Sequence, residues 1–216
     1  MSIMSTTQED TTPRSLPVVA WGQKGAGFER TSHHPSTVMR ASLQKIANRL
    51  SHLEHLESDR EATGAFLAFA EETDDAFEAS FAPEITLRGT FRAIGTLLFI
   101  VEPECGTAFL ARHIAAALAA QNFVAVSVLR EQPSDMSRML ATLEDVVPES
   151  FATISRNGTE NWTKVPRDSH TAILTPQAVF FDGMPQVTFD DAATDHASRR
   201  ALISTYSTLD LHETPA

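Results

Sequence analysis

The stretch from Thr96 to Leu129, TLLFIVEPECGTAFLARHIAAALAAQNFVAVSVL, leaves little choice of fold. Leu97 to Val101 is a continuous apolar run of strand length. Phe109 to Gln121 is rich in Ala and Leu, with Leu110, Ile114 and Leu118 at helical spacing. Phe123 to Leu129 is a second short run carrying β-branched Val124, Val126 and Val128. Strand, helix and strand in so few residues make a βαβ unit, which requires a parallel pair joined by a right-handed crossover. The only cysteine, Cys105, falls at the junction of first strand and helix.

A chain of 216 residues can bury one substantial core. Seventeen basic against twenty-eight acidic side chains give a net charge of −11, which argues against a nucleic-acid partner. The acid clusters: Glu61 to Glu78 holds six carboxylates and no Lys or Arg, the pattern of a solvated helix face. One cysteine excludes an internal disulfide and suits a reducing compartment. No apolar run approaches the ~18 residues of a membrane span, and the N-terminus lacks the basic and apolar regions of a secretory signal. A cytoplasmic protein without a membrane partner is expected.

Residues 1–35 read as a flexible N-terminal segment, Ser- and Thr-rich at first and then glycine-containing around Trp21 to Phe28. Residues 36–82 read as a helical extension. Ser36 opens a helix with Val38, Leu43, Ile46 and Leu50, and a second runs from about Asp59 to Phe81. His52 and His55, with His33 and His34, are read as surface histidines, and no metal is expected. Pro83 closes the extension, and residues 83–212 form the main domain. There Ile85 to Ile94 alternates as a half-buried strand. After the βαβ unit a helix begins at Ser134, with Met136, Met139, Leu140 and Leu143 inward, and stops at Pro148. Phe151 to Ile154 is strand-like. Arg156 to His170, with Trp162, is a long polar excursion of the kind that carries function. Gln177 to Phe181 and Gln186 to Phe189 flank Asp182-Gly183 as a hairpin, and Asp190 or Asp191 caps a last helix.

From Pro83 onward this order resembles the thioredoxin-like superfamily, whose core runs β-α-β-α-β-β-α. PECGTAF puts Cys105 where that family carries the first cysteine of Cys-X-X-Cys. Thr175-Pro176 stands just before the hairpin, where the family carries its cis-proline. The resemblance implies an α/β fold, a thioredoxin-like central mixed sheet flanked by helices, with Cys105 as the tentative catalytic thiol. Thr107, Thr175, Pro176 and Trp162 would then contact substrate or partner. The active site is degenerate, because Ala108 replaces the second cysteine, and Glu102 and Glu104 raise a nearby thiol's pKa. The implied function is a redox-inactive or weakly active module that binds a protein, with the acidic Glu71–Glu78 run and the Trp162 excursion as contact surfaces. The alternative is a monothiol oxidoreductase resolved by glutathione or a partner thiol. No cofactor is implied beyond glutathione as co-substrate. The rival reading is a nucleotide-binding P-loop, to which the motif fits poorly: of G-x-x-x-x-G-K-[ST] only Gly106 matches.

Overall fold

A computed structural model describes residues 36–53, 56–73, 76–82, 85–129, 131–156, 169–176, 178–186 and 195–214. Helix α1 (Ser36–Ser51) places Met39, Leu43, Ile46, Ala47 and Leu50 on its buried stripe. Helix α2 (Glu57–Glu71) buries Ala62, Phe66, Phe69 and Ala70, and its first turn is closed by Leu56 N–H donating to Asp59 Oδ2 at 3.0 Å. The expected helix to Phe81 stops ten residues early. Ala76–Ala82 is strand β1, paired antiparallel with β2 (Ile85–Ala93).

Strand β3 (Thr96–Val101), helix α3 (Thr107–Ala119) and strand β4 (Phe123–Leu129) are the βαβ unit, and β3 and β4 pair parallel. Helix α3 ends in a Schellman arrangement. Gln121 adopts a left-handed φ of 64°, its N–H donates to Leu118 O, and Asn122 N–H donates to Ala117 O. Helix α4 (Ser134–Val146) leads to β5 (Phe151–Arg156), parallel to β4. Strand β6 (His170–Leu174) runs parallel to β3 on its other side. The β7 (Val179–Phe181) and β8 (Met184–Gln186) hairpin completes the six-stranded sheet in the order β5-β4-β3-β6-β7-β8. Asp182 (φ 47°) and Gly183 (φ 81°) supply the two positive φ angles of a type I′ turn, as the Asp-Gly pair predicts. Helix α5 (His196–Thr205) is capped by Asp195, and β9 (Ser207–Thr214) joins β2 to make a separate three-stranded sheet, β1-β2-β9.

The mixed α/β class with a helix-flanked sheet holds, but the thioredoxin-like topology is corrected. That fold places the strand after its proline antiparallel beside the cysteine strand. Here β6, which precedes Thr175-Pro176, takes that place and runs parallel to β3. Four parallel strands in the order third, second, first, fourth are the half-sheet of a doubly wound α/β fold. The sequence reading passed over β6 because five residues with a polar start merge into the preceding excursion.

All the described helices contribute to one core on a single face of the sheet, with Leu97, Phe99, Val124, Val126 and Phe151 beneath them. The opposite face carries a smaller cluster around Leu98, Ile100, Ala125 and Ile154. The sheet's edges are blunted. Thr153 N–H on β5 donates to the Glu144 side chain at 2.9 Å, and Pro185 sits on β8 without an N–H to offer.

Candidate site at the carboxyl ends of the parallel strands

Parallel strands all point their carboxyl ends one way, and helices return from that end, so loops and helix N-termini gather there. A crevice opens there between the ends of β3 and β4. It is lined by Val101, Glu102 and Pro103, by Val128 and Glu131 to Pro133, and by Met136. The enclosed space is about 20 Å³, room for one water. Gln132 Oε1 is buried in this wall without a hydrogen-bond partner. Glu102, Glu104 and Glu131 are exposed around it.

Behind the crevice, the N-termini of α2, α3 and α4 are knitted together by polar side chains. Ser58 Oγ donates to Asp135 Oδ2 at 2.6 Å, and the Thr107 hydroxyl also bonds Asp135. Burial pushes the Asp135 carboxyl up, but hydrogen bonds from Ser58, Thr107 and the amides of Met136 and Asp135 outweigh it and hold the pKa low. Arg138 Nη2 bridges both oxygens of the buried Asp59 at 2.7 and 2.8 Å.

The residues singled out from sequence fall as follows. Cys105 lies just before α3 but is only 2% exposed; burial first and Glu102 second push its thiol up to about 12. Its Sγ faces Gly106 O at 3.9 Å. Thr107 is buried at the α3 N-terminus, its hydroxyl committed to Asp135. Thr175 does not present a free edge: its N–H donates to Ala178 O at 3.0 Å, and its hydroxyl accepts from Ala178 N–H at 2.9 Å. The peptide before Pro176 is trans, since the described residues contain no cis bond. Trp162 lies outside the described residues, as do His33, His34 and His55. Among the described residues no group of three or more His, Cys, Asp or Glu side chains could hold a metal. No described helix is long and apolar enough to cross a membrane. Glu131 and Gln132 were missed; the signal was their position directly after the second strand of the βαβ unit.

The other end of the sheet is also polar, but closed. Asn122, 1% exposed, accepts at Oδ1 from Ile94 and Gly95 N–H (2.8 and 3.1 Å), and donates from Nδ2 to Ala117 O and Tyr206 O (3.1 and 2.7 Å). His113 Nδ1 meets the Tyr206 hydroxyl at 2.6 Å, with Phe99 and Phe181 edge-on to the Tyr206 ring. Burial, aided by Arg112, lowers the His113 pKa to about 3, so the ring is neutral.

No family model matches this chain, and no curated protein matches it. Solved structures do. A point mutant of Bradyrhizobium japonicum proline utilization A matches at 19% identity and TM-score 0.48, over 59% of this chain and 15% of its own. PnpE in complex with nicotinamide adenine dinucleotide matches at 14% and 0.48, over 59% and 31%. Betaine aldehyde dehydrogenase from Staphylococcus aureus with NAD+ matches at 17% and 0.47, over 60% and 30%. The chain spans less than a third of each of these proteins. The strand order, with β6 parallel to β3, and the trans peptide before Pro176 overturn the thioredoxin-like reading, and with it both the redox-inactive binding module and the monothiol oxidoreductase. Two of these three proteins were solved in complex with NAD.

Proposed function

We propose that this chain is a nucleotide-binding domain of the doubly wound type, taking the adenosine end of an NAD-type dinucleotide across the crevice at the carboxyl ends of β3 and β4. The observation that carries this reading is the parallel order β5-β4-β3-β6, whose reversal of direction lies between β3 and β6. In such sheets ligands sit outside the carboxyl ends at that point, and an acidic residue about 20 positions beyond the first turn hydrogen-bonds the ribose diol. Glu131 follows Gly106 by 25 positions and stands two residues past the end of β4. Gln132 Oε1 beside it is a buried acceptor in want of a donor, which a ribose hydroxyl supplies.

The residues fit the adenosine end better than the phosphates. The first amides of α3, those of Thr107, Ala108 and Phe109, have no intrahelical acceptor and favour an anion. Glu102 and Glu104 stand beside them and oppose it. A Cβ added at Gly106 would meet nothing within 4 Å, so this turn is not a tight glycine cradle. The nucleotide therefore lies over the crevice mouth, and adenosine carries most of the affinity. A nicotinamide ring would supply hydride transfer, in which none of the described residues is assigned a part. Cys105 is structural in this reading.

Calorimetric titration with adenosine, AMP, NAD and NADP tests it. Adenosine should saturate with a Kd near ~1 mM or tighter, and each added phosphate should change this by less than about tenfold. NADP should bind more weakly than NAD, because its 2′-phosphate meets Glu131. Absence of saturable binding by every one of the four would overturn the proposal.

A further inference from the structure

The three-stranded sheet β1-β2-β9 shares no strand with the main sheet; besides Phe91 of β2, which packs against the main core, it is tied to the body at the places where its strands enter. There are three. Strand β2 passes into β3 through Ile94 and Gly95, whose N–H groups both donate to Asn122 Oδ1. Strand β9 leaves from Tyr206, whose carbonyl accepts from Asn122 Nδ2. One buried amide thus roots two of the three strands. The third, β1, begins at Ala76, four positions after Glu72.

Glu72 caps the C-terminus of α2, and its side chain is only 1% exposed. A carboxylate so far from water needs cationic partners. They come from α5, more than a hundred residues away, which itself leads directly into β9. Arg199 reaches Oε1 from both Nε (2.9 Å) and Nη2 (2.7 Å). His196 Nε2 stands 3.0 Å and Arg200 Nε 3.7 Å from Oε2. Directed hydrogen bonds serve Oε1 alone: Oε2 and Arg200 Nε are both buried without one. Next to this cluster, Arg40 Nε of α1 donates to Thr73 Oγ1 at 3.1 Å.

We infer that Glu72 is the latch of the small sheet: by holding α5 it fastens the root of β1 to the root of β9, so that all three strands are carried as one body with the core. Asn122 lies within the main core and is a permanent root. Glu72 holds α5 through directed hydrogen bonds on Oε1 alone, so β1 is the strand that can be released alone.

Hydrogen–deuterium exchange on the full chain, followed by peptide, tests the latch in Glu72→Gln and, separately, Arg199→Met. Each variant should speed exchange across residues 76–82 by at least about tenfold: Glu72→Gln leaves Arg199 and Arg200 without their counter-charge, and Arg199→Met takes from the buried carboxylate both hydrogen bonds on Oε1. Exchange in residues 97–101 and 123–129 should stay as in the parent. Unchanged exchange in 76–82 in both variants overturns the inference, and so does equal acceleration of β1 and the core strands. Should Glu72→Gln fail to fold, Arg199→Met decides by the same two readings, since it leaves the carboxylate with His196 and Arg200 nearby.

Discussion

The two ends of the parallel strands use polar residues in opposite ways. At the amino end, Asn122 makes all four of its side-chain hydrogen bonds, and His113 and Tyr206 satisfy each other under aromatic cover. At the carboxyl end, Gln132 Oε1 has no partner, and Glu102, Glu104 and Glu131 stand in solvent. Buried polar groups that are fully paired specify a structure; groups left partly unpaired at a crevice are what a ligand completes. The difference teaches that in this molecule the same kind of side chain is fully paired within the fold at one end and left with open valence at the other, where the proposed ligand would complete it.

The largest effect should come from breaking the closed end. Asn122→Ala strands two backbone N–H groups and the Tyr206 carbonyl, and should cost about 3 kcal/mol or more in urea denaturation. A loss below about 1 kcal/mol would show that the amino end is not the polar keystone of the fold.

The pH dependence comes next. His113 has a folded pKa near 3, below its ordinary 6.5, so the unfolded state binds the extra proton between those values. Stability is therefore complete above about pH 6.5 and falls with each unit below it by up to about 1.4 kcal/mol from this residue. His113→Gln should flatten that part of the stability profile; an unchanged slope would assign it to the carboxylates instead.

At the open end, Glu131→Ala should weaken adenosine binding about tenfold while leaving the denaturation midpoint within experimental error, since a hydrogen bond to a charged group contributes about 1.5–3 kcal/mol and the side chain is exposed. An equal loss of stability and binding would erase the contrast between the two ends.

The smallest effect concerns Cys105. Its thiol, raised to about 12, should resist iodoacetamide at pH 8 in the native protein and react only on unfolding. Because the folded pKa lies above the unfolded one, its contribution to stability is full below about pH 9 and is lost as pH rises towards 12. Fast alkylation at neutral pH would mean that the α3 N-terminus is open to solvent, and would move attention from Glu131 to Cys105.

Local order in this chain is written locally. Ser36 starts α1, Pro148 follows the end of α4, Asp182-Gly183 makes the primed turn, and the apolar runs around α3 make the parallel pair β3–β4. Each depends on residues within a few positions of one another, through caps, φ preferences and side-chain period. Ala76–Ala82 shows where that fails. Phe77 and Phe81 are four apart, as on a helix, yet Phe77, Ala79 and Phe81 also alternate as on a strand. Pairing with β2 settles it, and β2 is itself held by β9 from the far end of the chain. Strand order is decided in the same way. A Cys turn, a later Thr-Pro and a hairpin suit a thioredoxin-like order as well as this one. Only the parallel seating of β6 against β3 separates them, and no residue near β6 encodes its neighbour. The candidate site also rests on a pairing of strands. Glu131 and Gln132 are legible as following a strand, but a crevice exists beside them only because β3 and β4 pair parallel and bring Val101 to Pro103 alongside. Sequence by itself determined the elements and their turns, where the governing contacts are short-range. Tertiary structure decided the order of strands and the place of the site, because both rest on pairings between segments far apart in the chain.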